Sequence, residues 1–468
     1  MTRSARPGTV VVVLLGLLGG YLAFDALDVV PGMLTTAEPW PQAAPFPTAP
    51  GAVEAAPPET VFPVLPQSAP VPDPTDIESR VADLVAKKKL GSRVGVVVED
   101  AITGETLGAA DDDRPMTPAS SQKLLTGVAA LSSPLADKTL ATTVVRSDDT
   151  LTLVGGGDMM LAAGKGRPGE VNGRAGLGDL ADQVAGALDA TGTKKVRVAV
   201  DDTLFTGPGI APAVEKANKA YIGIAAPLGV NIGLAGDSYS SNGPWSPDPA
   251  MRAGTIFADR LRDQGIEVSG VVRGVAPDGA EKVGEVRSAP VSEITEFFLH
   301  TSNNTLTEVV GRLVAVQAGE PGSTEAATHA VKAAVAGLGV DLDGAELKDC
   351  SGLGEGSRLS ARQLADVVEL TIDPAHPTLR DVAVGMPVGG LNGTLYDRFT
   401  GDNPARGLVR AKTGSLSKTR ALAGTVVTAD QRQLVFVVLA DSIPDYAGNA
   451  LPIYDDFVGS LAAYPASG

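Results

Sequence analysis

At 468 residues with 44% apolar side chains, the chain has length for two domains and is too apolar for global disorder. A net charge of -17 excludes the clustered basic surface that nucleic acid demands. Cys350 is the one cysteine, so an intrachain disulfide is excluded; with three scattered histidines, His300, His329 and His376, neither a metal centre nor another cofactor is expected.

The first 24 residues read as an export segment, because Arg3 and Arg6 precede an apolar run that starts at Thr9 and stops before Asp25. That run is shorter than the ~20 residues of a full span. The best small-x-small cleavage site is distant, at 35–37, so residues 1–37 are expected to be a signal peptide or an uncleaved anchor in the cytoplasmic membrane. Twelve prolines between 38 and 75 predict an extended linker. The remainder is then expected to work outside the membrane.

From residue 76 the composition turns globular, with an amphipathic helix predicted over 77–90 and strands over 93–98 and 105–109. Asp111 to Asp113 reads as a solvated loop. The run TPASSQKLL from Thr117 then organises the chain. Pro118 stands where a helix would begin, and Leu124, Leu125 and Val128 give it an apolar face, which places Ser120 in the first turn and Lys123 one turn on. A hydroxyl and an amine then share one face. An amine kept unprotonated by burial or a nearby cation can take the serine proton, and the helix N-terminus favours an oxyanion there. Acyl transfer through Ser120 is the chemistry this implies. S-x-x-K alone is weak, since chance supplies about one or two copies in such a chain; Ser415 to Lys418 is a second.

The stretch between Ser120 and Ser302 is too long for a simple connection. Strands over 150–154, 196–200 and 267–272 alternate with helices over 177–188 and 250–264, which predicts an inserted α/β subdomain over 151–288. Gly155-Gly156-Gly157-Asp158 lacks the pattern and following helix of a nucleotide loop. Beyond Ser292, one helix is predicted over 296–316, carrying Ser302-Asn303-Asn304 in its N-terminal half, followed by helices over 324–338 and 360–372 with Ser360 as N-cap. Loops at 349–360 and 389–395 precede strands over 408–412, 421–427 and 434–439 and a closing helix over 450–463. Residues 76–150 and 289–468 are thus expected to form one parent domain. Lys412-Thr413-Gly414 occurs once.

TPASSQKLLTG at Thr117, SNN at Ser302, DCSGLGEGSRLS at Asp349, GGLNGTLYDR at Gly389 and AKTGSL at Ala411 are five ordered segments. Together they resemble the class C low-molecular-mass penicillin-binding proteins, the serine D-Ala-D-Ala carboxypeptidase and endopeptidase family. The resemblance runs from about residue 76 to the C-terminus. It implies an α/β (α+β) fold of the serine β-lactamase and penicillin-binding transpeptidase-like type, with a smaller inserted α/β subdomain. Met159-Met160 departs from the family's Pro-Thr pair, and Cys350 replaces a small residue.

The resemblance also implies roles. Ser120 would attack the carbonyl between two D-alanines of a peptidoglycan stem peptide, with Lys123 as general base. Ser302 and Lys412 would relay a proton to the leaving amine, and Asn304 would hold the peptide amide. Lys412 and Thr413 would bind the terminal carboxylate, and the backbone N–H groups of Ser120 and Ser415 would form an oxyanion hole. Gly414 would let the ligand approach its strand. Asp158 is expected either to hold the free amino end of a diaminopimelate side chain or to be a turn residue, with Tyr221 and Leu416 lining the same pocket. β-Lactams would trap the acyl-enzyme in the cell envelope. The alternatives are a DD-endopeptidase, a β-lactamase, for which no separate Glu-bearing deacylation loop is evident, and a non-catalytic peptidoglycan-binding scaffold. A Ser-His-Asp hydrolase is disfavoured by the absence of G-x-S-x-G.

Overall fold

The computed structural model describes residues 18–27, 29–30, 65–236 and 243–465. The chain divides into Met1–Val64 and Leu65–Gly468. In the first unit residues 18–26 are helical. Among the described residues no helix is long and apolar enough to cross a membrane. Most of the expected export segment and the linker up to residue 64 lie outside the described residues.

The second unit begins earlier than expected. Arg432 donates to the Gln67 and Ala69 carbonyls at 3.0 Å each, so residues 65–73 dock on the globular unit and do not continue the linker. Proline content without periodicity hid this docking. Asp73 then caps the helix Pro74–Val85, accepting from the Thr75 amide at 2.8 Å, and that helix buries Ile77, Val81 and Leu84 along one stripe. Strands β1 (Val94–Asp100) and β2 (Thr106–Ala110) follow, then a 3-10 turn Ala119–Gln122 that runs into the fully buried helix Lys123–Leu131.

The chain next builds β3 (Thr139–Ser147), β4 (Thr150–Gly155), β5 (Asp158–Leu161), β6 (Lys195–Asp201), β7 (Leu228–Val230), β8 (Glu267–Arg273) and β9 (Glu281–Pro290). Five of these form a sheet in the order β8-β6-β4-β3-β9, with β4, β6 and β8 parallel and β3 antiparallel to its neighbours. Helices Leu177–Ala190 and Pro249–Asp263 pack on it, as the α/β alternation predicts. β3 lies before the boundary expected at 151 yet belongs to this sheet, so the sheet starts at Thr139. Its threonines blur the period-2 pattern that would have shown it.

Five helices, Val291–Thr301, Asn304–Gln317, Thr324–Ala336, Ala361–Ile372 and Arg380–Gly385, lead to β10 (Val409–Leu416), β11 (Thr419–Val427), β12 (Gln433–Ala440) and the helix Leu451–Ala462. Ser360 caps its helix in a capping box with Gln363. The first sheet runs β10-β11-β12-β1-β2, antiparallel throughout, with β10 at an edge. Side chains alternate cleanly across it. Val96, Val98, Phe436 and Val438 pack with the helices Pro74–Val85 and Leu451–Ala462, whereas Val97, Val435, Val437 and Leu439 join the core of Leu124, Leu125 and Val128. Each such fully buried side chain contributes about 1.5–3 kcal/mol, so the strand register is strongly specified.

Candidate active site

Ser120 sits in the 3-10 turn just before the Lys123–Leu131 helix. Ala119 ahead of it has a φ of 47°, a left-handed conformation that an alanine holds only when its surroundings enforce it. Two glycines do so. A Cβ on Gly352 would lie 1.9 Å from the Ala119 carbonyl oxygen, and one on Gly414 would lie 2.8 Å from that of Pro118. The serine turn is therefore clamped between the 349–354 loop and β10.

Lys123 is fully buried beneath Ser120. Its Nζ lies 3.0 Å from Ser120 Oγ, 2.6 Å from Asn304 Oδ1 and 2.8 Å from the Ser351 carbonyl. Burial pulls its pKa down to about 8, against the opposing charges of Asp349 and Glu308. A neutral amine has two N–H bonds and one lone pair. The two carbonyl oxygens consume the N–H bonds, and the lone pair is left facing the serine hydroxyl.

The second motif reaches the site through a break that the sequence did not disclose. Instead of one helix over 296–316 there are two, because Ser302 adopts a φ of 56° and Asn303 caps the next helix, accepting from the Leu306 amide at 2.9 Å. No glycine or proline marks the break. At this elbow Ser302 Oγ accepts from Lys412 Nζ at 2.8 Å, and Lys412 also donates to the Thr413 carbonyl at 3.0 Å. On β10, Ala411 faces the terminal helices, so Lys412 points to the opposite face, toward Ser302. Burial, and then the neighbouring Lys123 cation, hold Lys412 well below the usual lysine range.

Asn304 donates from Nδ2 to the Tyr221 carbonyl at 2.9 Å, so the 139–290 part supplies a wall of the site. Thr413 Oγ1 pairs with Thr394 Oγ1 at 2.8 Å. The cleft above has a volume of about 1060 Å³, and its lining includes Ser120, Ser302, Asn304, Thr413, Ser415 and Leu416. Lys123 and Lys412 stand behind that surface. Among the described residues no group of three His, Cys, Asp or Glu side chains is placed to hold a metal ion. What the arrangement can do is activate one hydroxyl and move one proton.

A model of the D-Ala-D-Ala carboxypeptidase 3 (S13) family matches residues 77–243 and 242–453. The chain belongs to that family. Among its relatives, the carboxypeptidase DacB of Mycolicibacterium smegmatis is 35% identical over 420 residues, covering 87% of this chain and 88% of the relative. The D-alanyl-D-alanine carboxypeptidase of an Actinomadura species is 28% identical over 462 residues, covering 80% of this chain and 82% of that one. The fold is also that of penicillin binding protein 4 (dacB) from Haemophilus influenzae, with a TM-score of 0.67 at 19% identity, covering 82% of this chain and 99% of that structure. The expected fold class is thereby established.

Within this family member, Asp158 lies away from the cleft lining. It is buried in β5, its Oδ1 accepts from the Met160 amide at 2.7 Å, burial pushes its pKa up to about 7, and it is absent from the cleft lining. The reading as a local turn-type aspartate fits this geometry, and that as a pocket carboxylate does not. Residues missed by sequence reasoning lie behind the lysines. Asp349 accepts the amides of Gly352 at 2.7 Å, Leu353 at 3.1 Å and Gly354 at 2.6 Å, which shapes the loop that offers Ser351 to Lys123. Glu308 accepts the amides of Cys350 and Ser351. The only available signal was an acidic residue within a glycine-rich run, and for Glu308 the one acidic residue of its helix.

Proposed function

We propose that the protein is a serine D-Ala-D-Ala carboxypeptidase that works through an acyl-enzyme on Ser120. The observation that carries this reading is the Lys123 amine, buried, drawn toward neutrality and directed at the Ser120 hydroxyl by two carbonyl acceptors. Lys123 takes the Ser120 proton as the hydroxyl attacks the penultimate D-alanine carbonyl. The Ser120 and Ser415 backbone N–H groups receive the oxyanion, an arrangement in which one donor is worth about 2.7–4 kcal/mol in other enzymes.

The outer side of edge strand β10 is paired with residues 387–389 as far as Ala411, and from Thr413 on it is left open for an extended peptide to lie against, with Gly414 keeping its surface low. Thr413, positioned by Thr394, receives the terminal carboxylate. That anion supplies Lys412 with the counter-charge its burial lacks, so Lys412 gains a proton on substrate binding and passes it through Ser302 to the leaving amine. Asn304 holds the peptide amide, and Tyr221 and Leu416 line the cleft walls. Lys123 gives the proton it took from Ser120 to solvent, then takes one from the water that attacks the ester and returns it to Ser120 Oγ as the acyl group leaves. β-Lactams stop at that intermediate.

The substrate places the enzyme in the cell envelope, outside the cytoplasmic membrane, with the N-terminal segment serving as signal peptide or anchor. The sheet spanning 139–290 acts as an inserted subdomain that borders the cleft through Tyr221. A second reading, cleavage of peptide cross-links, is favoured by one feature: the cleft continues past Thr413 to Arg398, Asn403 and Asp455, beyond what one terminal D-alanine fills. Purified protein incubated with a fluorescent penicillin tests the main reading. A covalent label that disappears in Ser120→Ala supports it, and a label that persists in that variant overturns it. Giving the same protein a pentapeptide and then a cross-linked dimer separates the two activities.

A further inference from the structure

The helix Asn304–Gln317 presents two polar side chains one turn apart toward the same place, Asn304 and Glu308. Asn304 touches Lys123 directly, whereas Glu308 reaches it through the loop. Glu308 Oε1 accepts from the Cys350 amide at 3.0 Å and from the Ser351 amide at 2.8 Å, and the Ser351 carbonyl is the acceptor 2.8 Å from Lys123 Nζ. Glu308 is 2% exposed and does not line the cleft, so the chemistry described above leaves it unused. Every hydrogen bond to its carboxyl group among the described residues is one it accepts.

We propose that Glu308 is a positioning residue for acyl transfer: it fixes the Ser351 carbonyl against Lys123 and places a negative charge behind that amine, setting the pH at which the base becomes available. The inference rests on the proposed role of Lys123 as general base. The charged groups around the pair are few. Lys123 faces Asp349 and Glu308 from behind and has Lys412 across the cleft floor; Glu308 faces Asp349 and Cys350 in the loop and Arg312 on its own helix. Burial lowers Lys123, and Asp349 and Glu308 oppose that fall. Burial and the adjacent Asp349 push Glu308 itself above the usual carboxylate range, against the Ser351 and Cys350 amides and Arg312.

Two substitutions separate anchoring from charge. Because Oε1 takes the Ser351 bond and the shorter of the two from the Cys350 amide, Glu308→Gln can keep those two hydrogen bonds, giving up only the 3.3 Å one from the Cys350 amide to Oε2, while losing the charge. Glu308→Asp keeps the charge and withdraws the oxygen by one methylene. The experiment measures the acylation rate of the full chain by a fluorescent penicillin between about pH 5 and 9, where an amine of this kind titrates. For Glu308→Gln the acid limb moves about half to one pH unit lower, since the neutral amine is reached sooner without the opposing charge. For Glu308→Asp the limb stays near the wild-type position and the plateau falls ~10-fold or more, as for other misplaced catalytic groups. An unmoved limb in Glu308→Gln overturns the proposal, as does a full plateau in Glu308→Asp. A Glu308→Gln chain without a cooperative thermal melt counts against it equally, because the amide oxygen is expected to hold the loop. Failure of the wild-type protein to label at Ser120 would instead strike the proposed function.

Discussion

Lys123 and Lys412 are the same residue type, both fully buried and both within 3.0 Å of a serine hydroxyl, yet they stand in different electrical surroundings. Behind Lys123 are two carboxylates, Asp349 and Glu308, that resist its neutralisation; beside Lys412 the neighbouring charge is Lys123 itself, which adds to the fall. Identical side chains at identical depth thus acquire different resting protonation from what lies behind them. Arg432 completes the series. It is buried too, but Asp100 meets it directly through Nε at 2.8 Å, so this cation is paired within the core and serves the fold. Burial alone assigns no role; the distance to a counter-charge does.

The largest break in this comparison comes from removing either amine. Lys123→Ala is expected to slow acylation by about a hundredfold to ten-thousandfold, the span of general base contributions. In the wild type the rate should climb with pH through a midpoint of about 8, where half of the amine has lost its proton, and level off about one unit higher. Stopped-flow acylation against pH checks both. Lys412→Ala should lower peptide turnover more than acylation by a β-lactam, because both nitrogens must gain a proton but the strained β-lactam C–N bond opens with less help from a proton donor than an unstrained peptide bond. Parallel assays with the two substrates read that split.

Next in size is the structural cation. Arg432→Met leaves the Asp100 carboxylate buried without its partner, a loss of about 3–5 kcal/mol in comparable cases. Burial raises the Asp100 pKa, but hydrogen bonds from Arg432, Thr103 and the Ile102 amide outweigh it and hold the group below the usual carboxylate range. With a folded pKa below the unfolded one, this stabilisation is present above the unfolded pKa and is lost as pH falls through the folded value. Urea midpoints of variant and wild type should therefore differ at neutral pH and converge below about pH 4.

Gly352→Ala sharpens the same contrast from the backbone side. Its φ of 75° and the 1.9 Å approach to the Ala119 carbonyl leave no room for a methyl group. Strain of about 1–3 kcal/mol is expected, with acylation reduced further because the Ser120 turn must shift; a melting curve and a labelling rate measure the two. The smallest effect belongs to Asp158→Asn. Asparagine has the same shape and keeps the bond to the Met160 amide, and the side chain is not on the cleft, so turnover should change less than about twofold. A tenfold rise in KM for a diaminopimelate-containing peptide would return Asp158 to the substrate.

Much of the candidate site was legible in the chain itself. Ser120 and Lys123 lie three residues apart, a local spacing that any helical turn converts into proximity. Ser302, Asn304 and Lys412 were legible as short motifs in a set order, and their meeting with the serine region is seen in the contacts of Lys123 with Asn304 and of Lys412 with Ser302. The elbow at Ser302 was not legible, because Thr301, Ser302 and Asn303 contain no glycine or proline and the apolar spacing runs across them unbroken. β3 was hidden by its threonines, and the docking of residues 65–73 by its prolines.

Local spacing, capping residues and the alternation of apolar side chains are short-range properties, and so the helices, most strands and the closeness of Ser120 to Lys123 were determined by the sequence on its own. The charge state of a buried amine is not of that kind. It depends on carboxylates contributed from residues 308 and 349, remote from residue 123 in the chain, and on how much water is excluded among them. Only the tertiary structure decided that, because electrostatic energy falls with distance in space and takes no account of separation along the polymer.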